Sequence, residues 1–110
     1  MSKTRFFSQY TKEATILLGR LIKLRRKNRR WSTSDLAQRV GISRVTLRKI
    51  ESGDPGCSVG LVFEAASLVG VPLFNSDHTT LTTHLGRTAE TLSLMPQTIR
   101  KSERDVDDDF

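Results

Sequence analysis

Cysteine occurs once in these 110 residues, at Cys57, so the chain forms no internal disulfide and has no thiol pair to hold a metal. The two histidines, His78 and His84, are six apart and fall on different helical faces, which removes them as a ligand pair too. No metal and no cofactor is therefore implied, and a lone free thiol points to a reducing, cytoplasmic setting. Long hydrophobic runs are missing as well. Nothing approaches the roughly 20 apolar residues of a membrane helix, and "MSKTRFFSQY" lacks the continuous apolar stretch of an export signal. The expectation is a soluble, non-exported chain without a membrane partner. Apolar residues make up only 36%, low for a chain that packs throughout, and the poorly packing part is sought at the ends. At 12.4 kDa there is room for one domain with a modest core. No nucleophile, base and orienting group can be assembled from the residues present, so the reading is not an enzyme.

Acidic residues are scarce in the middle of the chain. Between Arg20 and Lys49 stand eleven bases against Asp35 alone, a net of +10 out of an overall +6, whereas the last eight residues, "ERDVDDDF", sum to −4. Solubility alone does not require such clustering, and it favours a polyanionic partner for the middle segment.

Helical periodicity runs through most of the chain. "TKEATILLGRLIKLRRKN" places Ala14, Leu17, Leu18, Leu21, Ile22 and Leu24 on a stripe and predicts a first helix over about 12–28, with bases at the end that suits its dipole. Ser32 can cap a short second helix whose Leu36, Ala37 and Val40 point inward, and Gly41 ends it. Ser43 can cap a third helix reaching about Ser52 before "GDPG" turns the chain. Ser58 opens a fourth, "VGLVFEAASLV", expected to be all core. A fifth keeps its period through Leu81, Leu85, Thr88 and Leu92, although threonines and Gly86 dilute its propensity. There is no long strand-period run and no internal repeat. The predicted organisation is an arm over 1–11, a helical domain over 12–92 and a flexible acidic tail over 93–110.

The stretch "GISRVTLRKIESG" asks why a short helix should carry Arg44, Arg48 and Lys49 together with Val45 on its wet side. At 100° per residue these four share one arc, while Leu47, Ile50 and Thr46 lie opposite. Two short helices around a glycine turn form a helix-turn-helix, with Ala37 small at the crossing and Ile42, Leu47 and Ile50 sealing the pair. Ser43, Arg44, Val45, Arg48 and Lys49 then face out. A major groove about 12 Å wide admits such a helix. Arginine grips guanine O6 and N7, and a small apolar side chain meets a thymine methyl, so Val45 is at home in a charged stripe.

The residues "WSTSDLAQRVGISRVTLRKIESGDPGCSVGLVFEAASLVGV" resemble the Cro/C1-type (XRE) family, with Leu36, Ala37, Gly41, Leu47, Ile50, Glu51 and Gly53 at its spacing and the likeness covering about 13–74. Within it, "LRKIESGDPGCSVG" followed by an apolar helix and the acidic "MPQTIRKSERDVDDDF" is similar to HipB-type regulators, the small partners of HipA-type serine/threonine kinases in toxin-antitoxin operons. The resemblance implies an all-α, five-helix lambda-repressor-like helix-turn-helix domain with a partly disordered acidic C-terminal tail. It further implies a homodimer, repression of its own operon through a palindromic double-stranded operator, nucleoid association, and a complex with the HipA-like kinase. By the same resemblance Ser43, Arg44, Val45 and Lys49 read bases, and Ser32, Thr33, Thr46 and Arg48 hold phosphates. Many members carry glutamine where this chain has Thr33, although backbone N–H groups at a helix start attract anions whatever the side chain.

Other features admit more than one use. The run "KLRRKNRR" suits phosphate contact, weak polyanion binding or simple complementation of a helix end. Cys57 stands in a turn with no histidine that sequence places beside it and reads as an inert thiol. Trp31 is expected to cover the junction of the first two helices. The acidic end, with Asp107, Asp108, Asp109 and Phe110, is either an unfolded solubilising tail, a segment that folds onto a basic partner surface, or a mask for the chain's own basic face. Two rivals to the antitoxin reading are a stand-alone phage-type repressor and a kinase inhibitor with little affinity for DNA.

Overall fold

The structure, a computed structural model, describes residues 6–99. Five α-helices account for most of them and no strand occurs among the described residues: α1 (Gln9–Asn28), α2 (Thr33–Val40), α3 (Arg44–Ser52), α4 (Val59–Leu68) and α5 (His78–Ser93). None is long and apolar enough to cross a membrane. The chain divides into two compact units, the first ending at Asn75 and the second beginning at Ser76.

In the first unit, α1 begins earlier than the apolar pattern predicts because Ser8 caps it, its hydroxyl accepting from Thr11 N at 3.2 Å. Helices α1 and α2 both pack on α3 and α4. The core they enclose is small: Ile22, Leu36, Ala37, Leu47, Ile50, Ala65, Ala66, Val69 and Val71, with Leu18, Trp31, Ile42 and Leu61 closing its edges. Trp31 thus takes the junction position expected of it, half-buried.

Two expectations fail in this unit. The apolar stripe of α1 is only partly its buried face: Ile22 is buried and Leu18 packs half-buried on the core, but Ala14, Leu17, Leu21 and Leu24 are exposed, and the helix turns Gly19 and Arg26 inward beside Ile22. Glycine is needed there because a Cβ on Gly19 would stand 2.5 Å from the Ile50 carbonyl oxygen and 2.7 Å from that of Glu51. The helices cross too closely for any side chain, so an amphipathicity rule that scores glycine and arginine as non-core points the wrong way. Nor is α4 all core. Ala65, Ala66 and Val69 are buried, but Val59, Glu64 and Ser67 are exposed, because a helix packed on α1 and α2 from one side buries one stripe.

The second unit holds α5. Asp77 caps it, its carboxylate accepting from Thr80 N at 2.7 Å. Thr82 and Thr83 donate back to the carbonyls of His78 and Thr79, which satisfies their hydroxyls within the helix. No residue of α5 is buried.

Candidate nucleic-acid interface

Local capping chemistry builds the α2–turn–α3 unit. Ser32 accepts from Asp35 N at 3.0 Å while its own N–H donates to the Asp35 carboxylate at 2.8 Å, closing a reciprocal capping box. The bond from the Ser32 N–H, and after it the Ser32 hydroxyl, hold the Asp35 carboxyl below the usual carboxylate range. Gly41 then takes φ +87°, the left-handed geometry that ends α2, and Ile42 N returns to the Ala37 carbonyl at 2.9 Å. Just beyond it Ser43 caps α3, accepting from Thr46 N at 3.0 Å. Bonds between near neighbours in the chain stop one helix and start the next.

The outer face of α3 carries the residues the sequence points to. Arg44, Val45, Arg48 and Lys49 are all exposed, as is Ser43 at the cap. Thr46 is half-buried, and the Ser43 hydroxyl donates to its Oγ1 at 3.0 Å. The two hydroxyls are thus tied to each other at the start of α3. At the start of α2, Ser32 is exposed and Thr33 half-buried, with the ionised Asp35 in the same first turn. An anion approaching that end meets helix N–H groups and a carboxylate together, which offsets part of the dipole's attraction.

The inner face is tied down by a pair that charge counting misassigns. Arg26, one of the eleven bases of the middle segment, is only 7% exposed, and so is Glu51. Nε and Nη2 of Arg26 donate to the two carboxylate oxygens of Glu51 at 2.8 and 3.0 Å, and Nη1 donates to the Trp31 carbonyl at 2.9 Å. A fork-to-fork pair of this kind fixes direction as well as distance. It clamps the last turn of α1 to the last turn of α3, so Arg26 serves the frame and not the surface field. At the same end Gly53, with φ +85°, would place a Cβ 2.5 Å from Ile16 Cα. The pairing was open to detection, since Arg26 lies four residues after Ile22 on the same face and Glu51 ends the motif.

Other bases, Arg25 and Arg29 at the end of α1 and Arg39 on α2, are engaged at the surface. Arg25 Nη1 donates to the Gly70 carbonyl at 2.7 Å, and the guanidinium carbons of Arg29 and Arg39 lie 5.3 and 4.1 Å from the Trp31 ring centroid. Burial first, and Asp54 second, push the Cys57 thiol up, with Lys49 opposing them, in keeping with an inert thiol. No group of three or more His, Cys, Asp or Glu able to hold a metal occurs among the described residues. Asp107, Asp108, Asp109 and Phe110, proposed from sequence as a partner-binding tail, lie outside them.

Residues 17–74 match the family model described as a helix-turn-helix domain, more than half of the chain, and the chain belongs to that family. By class it is a DNA-binding regulator. Comparison with curated proteins and with solved structures yields no match.

Proposed function

We propose that the chain is a dimeric, sequence-specific repressor of the Cro/C1 type that reads duplex DNA with the exposed face of α3. The observation that carries this reading is the pairing of an exposed Arg44, Val45, Arg48 and Lys49 face with an opposite face locked by Ser43, Gly53 and the Arg26–Glu51 clamp. Arg44, Val45 and Lys49 are assigned to base edges, Val45 by contact with a thymine methyl. Ser43, at the exposed cap, is assigned to a base edge as well. Arg48, Thr46 and the N–H groups at the start of α2, beside Ser32 and Thr33, are assigned to phosphates. One short helix covers only a few base pairs, so a second copy one helical turn away, about 34 Å along the duplex, supplies adequate specificity and makes the operator palindromic. The likeness of "LRKIESGDPGCSVG" and of the acidic end to HipB-type regulators extends the proposal to the DNA-binding antitoxin component of a HipA-type kinase operon.

The test is selection of duplexes from a random pool followed by titration. Arg44→Ala should cost about 1 to 3 kcal/mol per copy and relax one base position in each half-site, whereas Arg48→Ala should weaken all sequences alike and lower the salt slope by about one phosphate per copy. Unchanged affinity and sequence preference for Arg44→Ala removes the base-reading role. Co-purification with the product of an adjacent kinase-like gene, comparing the full chain with one ending at Lys101, tests the antitoxin extension.

A further inference from the structure

The fold puts some of the bases at the end of α1 to work and leaves others with nothing to hold. Arg26 is clamped to Glu51, Arg25 reaches the Gly70 carbonyl, and Arg29 lies against the Trp31 ring. Arg20, Lys23 and Lys27 are exposed, and none of the three has a hydrogen bond, an ion pair or a ring contact among the described residues. At 100° per residue they share an arc of about 60°, and no other residue from Leu17 to Asn28 falls within it. Helix energetics do not account for such a stripe. Like charges three and four residues apart destabilise a helix, and attraction to the helix dipole is confined to the last turn, which includes Lys27 but not Arg20 or Lys23. The single acid of α1, Glu13, stands about two turns before Arg20 and accepts from Gln9 Nε2 at 3.0 Å.

The arc begins about 40° round the helix from Gly19, whose missing side chain is what lets the end of α3 approach. Arg26, next to Lys27 in the chain, is locked to Glu51 in that same end of α3. The three bases therefore flank α3 and are joined rigidly to it. The rest of the first unit is charged the other way. Residues 50–75 contain no lysine or arginine against Glu51, Asp54 and Glu64, and Asp54 stands in the turn directly after α3, its carboxylate accepting from Gly56 N at 2.8 Å. A phosphate backbone passing α3 thus finds its uncommitted cations on the α1 side alone. We infer that Arg20, Lys23 and Lys27 form a second phosphate-binding track, which holds the backbone of the duplex beyond the base pairs that α3 reads. The inference rests on the DNA-reading proposal above and deepens it. From Arg20 to Lys27 the helix advances about 10 Å, the axial advance of about three phosphates on one strand at 3.4 Å each. A stable protein contact in the same place needs an apolar centre, and this arc has none.

Salt titration of a duplex carrying the selected site, with and without flanking base pairs, tests the track. The double variant Lys23→Gln, Lys27→Gln changes only exposed positions, and circular dichroism verifies its fold. On the flanked duplex it is expected to lower the slope of log affinity against log salt by about 1.8 per copy, with base preference unchanged. The double variant Arg29→Gln, Arg39→Gln removes the same charge, yet it is expected to keep the natural slope because those guanidiniums are committed to Trp31. Removing the flanks is expected to lower the slope of the natural chain and to leave that of the Lys23, Lys27 variant where it is. Equal falls for the two variants overturn the track, since a diffuse basic field gives that result. An unchanged slope for the Lys23, Lys27 variant also overturns it, as the result for a solvated face or for a stripe that serves an acidic protein, and so does a natural chain indifferent to flanks. Failure of the DNA-reading proposal registers separately, because it appears as an unaltered base preference in Arg44→Ala, whereas the track is scored on slope alone.

Discussion

Gly41 and Gly53 end successive helices with almost the same φ, +87° and +85°, yet they answer to different constraints. A Cβ on Gly41 meets nothing within 4 Å, whereas one on Gly53 would overlap the backbone of Ile16. Gly41→Ala should therefore cost only the left-handed strain, about 1 to 2 kcal/mol. Gly53→Ala adds steric displacement of α1, roughly another 1 to 3 kcal/mol. Denaturant midpoints for the two variants check the ordering, and a smaller loss at Gly53 contradicts the close approach. Sequence makes the two glycines look alike because the residue that separates them, Ile16, lies 37 positions from Gly53 and belongs to another helix. Arg26 is misassigned by charge counting although its position, four residues after Ile22, hints at the buried face. Charge patterning counts a base as surface, and only the carboxylate of Glu51 brought beside it makes burial tolerable.

At the scale of elements, what is local was legible. Ser32, Gly41 and Ser43 announce a stop and two starts within twelve residues because capping needs only neighbours in the chain, and α2, the turn and α3 fall where those residues put them. What depends on tertiary packing was not: which side of α1 is buried, and how much of α4. The caps also carry a pH signature. Asp35 and Asp77 are both held below the usual carboxylate range, chiefly by the N–H of Ser32 and of Thr80 respectively. A carboxyl depressed in the folded state stabilises above the ordinary aspartate pKa of about 3.9, and that contribution is lost as pH falls through the lowered value. The ellipticity and denaturation midpoint of the natural chain should accordingly decline between about pH 4 and 2, with Asp35→Asn giving a flatter profile. Parallel profiles remove the capping role of that carboxylate.

For the molecule as a whole, the basic middle segment sets how binding responds to salt. With Arg26 neutralised by Glu51, ten of its eleven bases remain outside the core, three of them on α3. If a dimer engages six or more phosphates, affinity for duplex should fall on the order of 10³ between 50 and 200 mM salt, and a slope near zero in that titration excludes backbone contact. The clamp between α1 and α3 bears on the kind of recognition that results. A reading helix anchored at its first turn by a serine and at its last by a buried ion pair has little backbone freedom to surrender on meeting a ligand. Ordering costs fall on its long cationic side chains, about 0.5 to 1.5 kcal/mol apiece. On the proposed reading such a helix works as a rigid die, accommodation between protein and duplex falls to the duplex, and base steps that bend easily are expected to be favoured even where no side chain touches them.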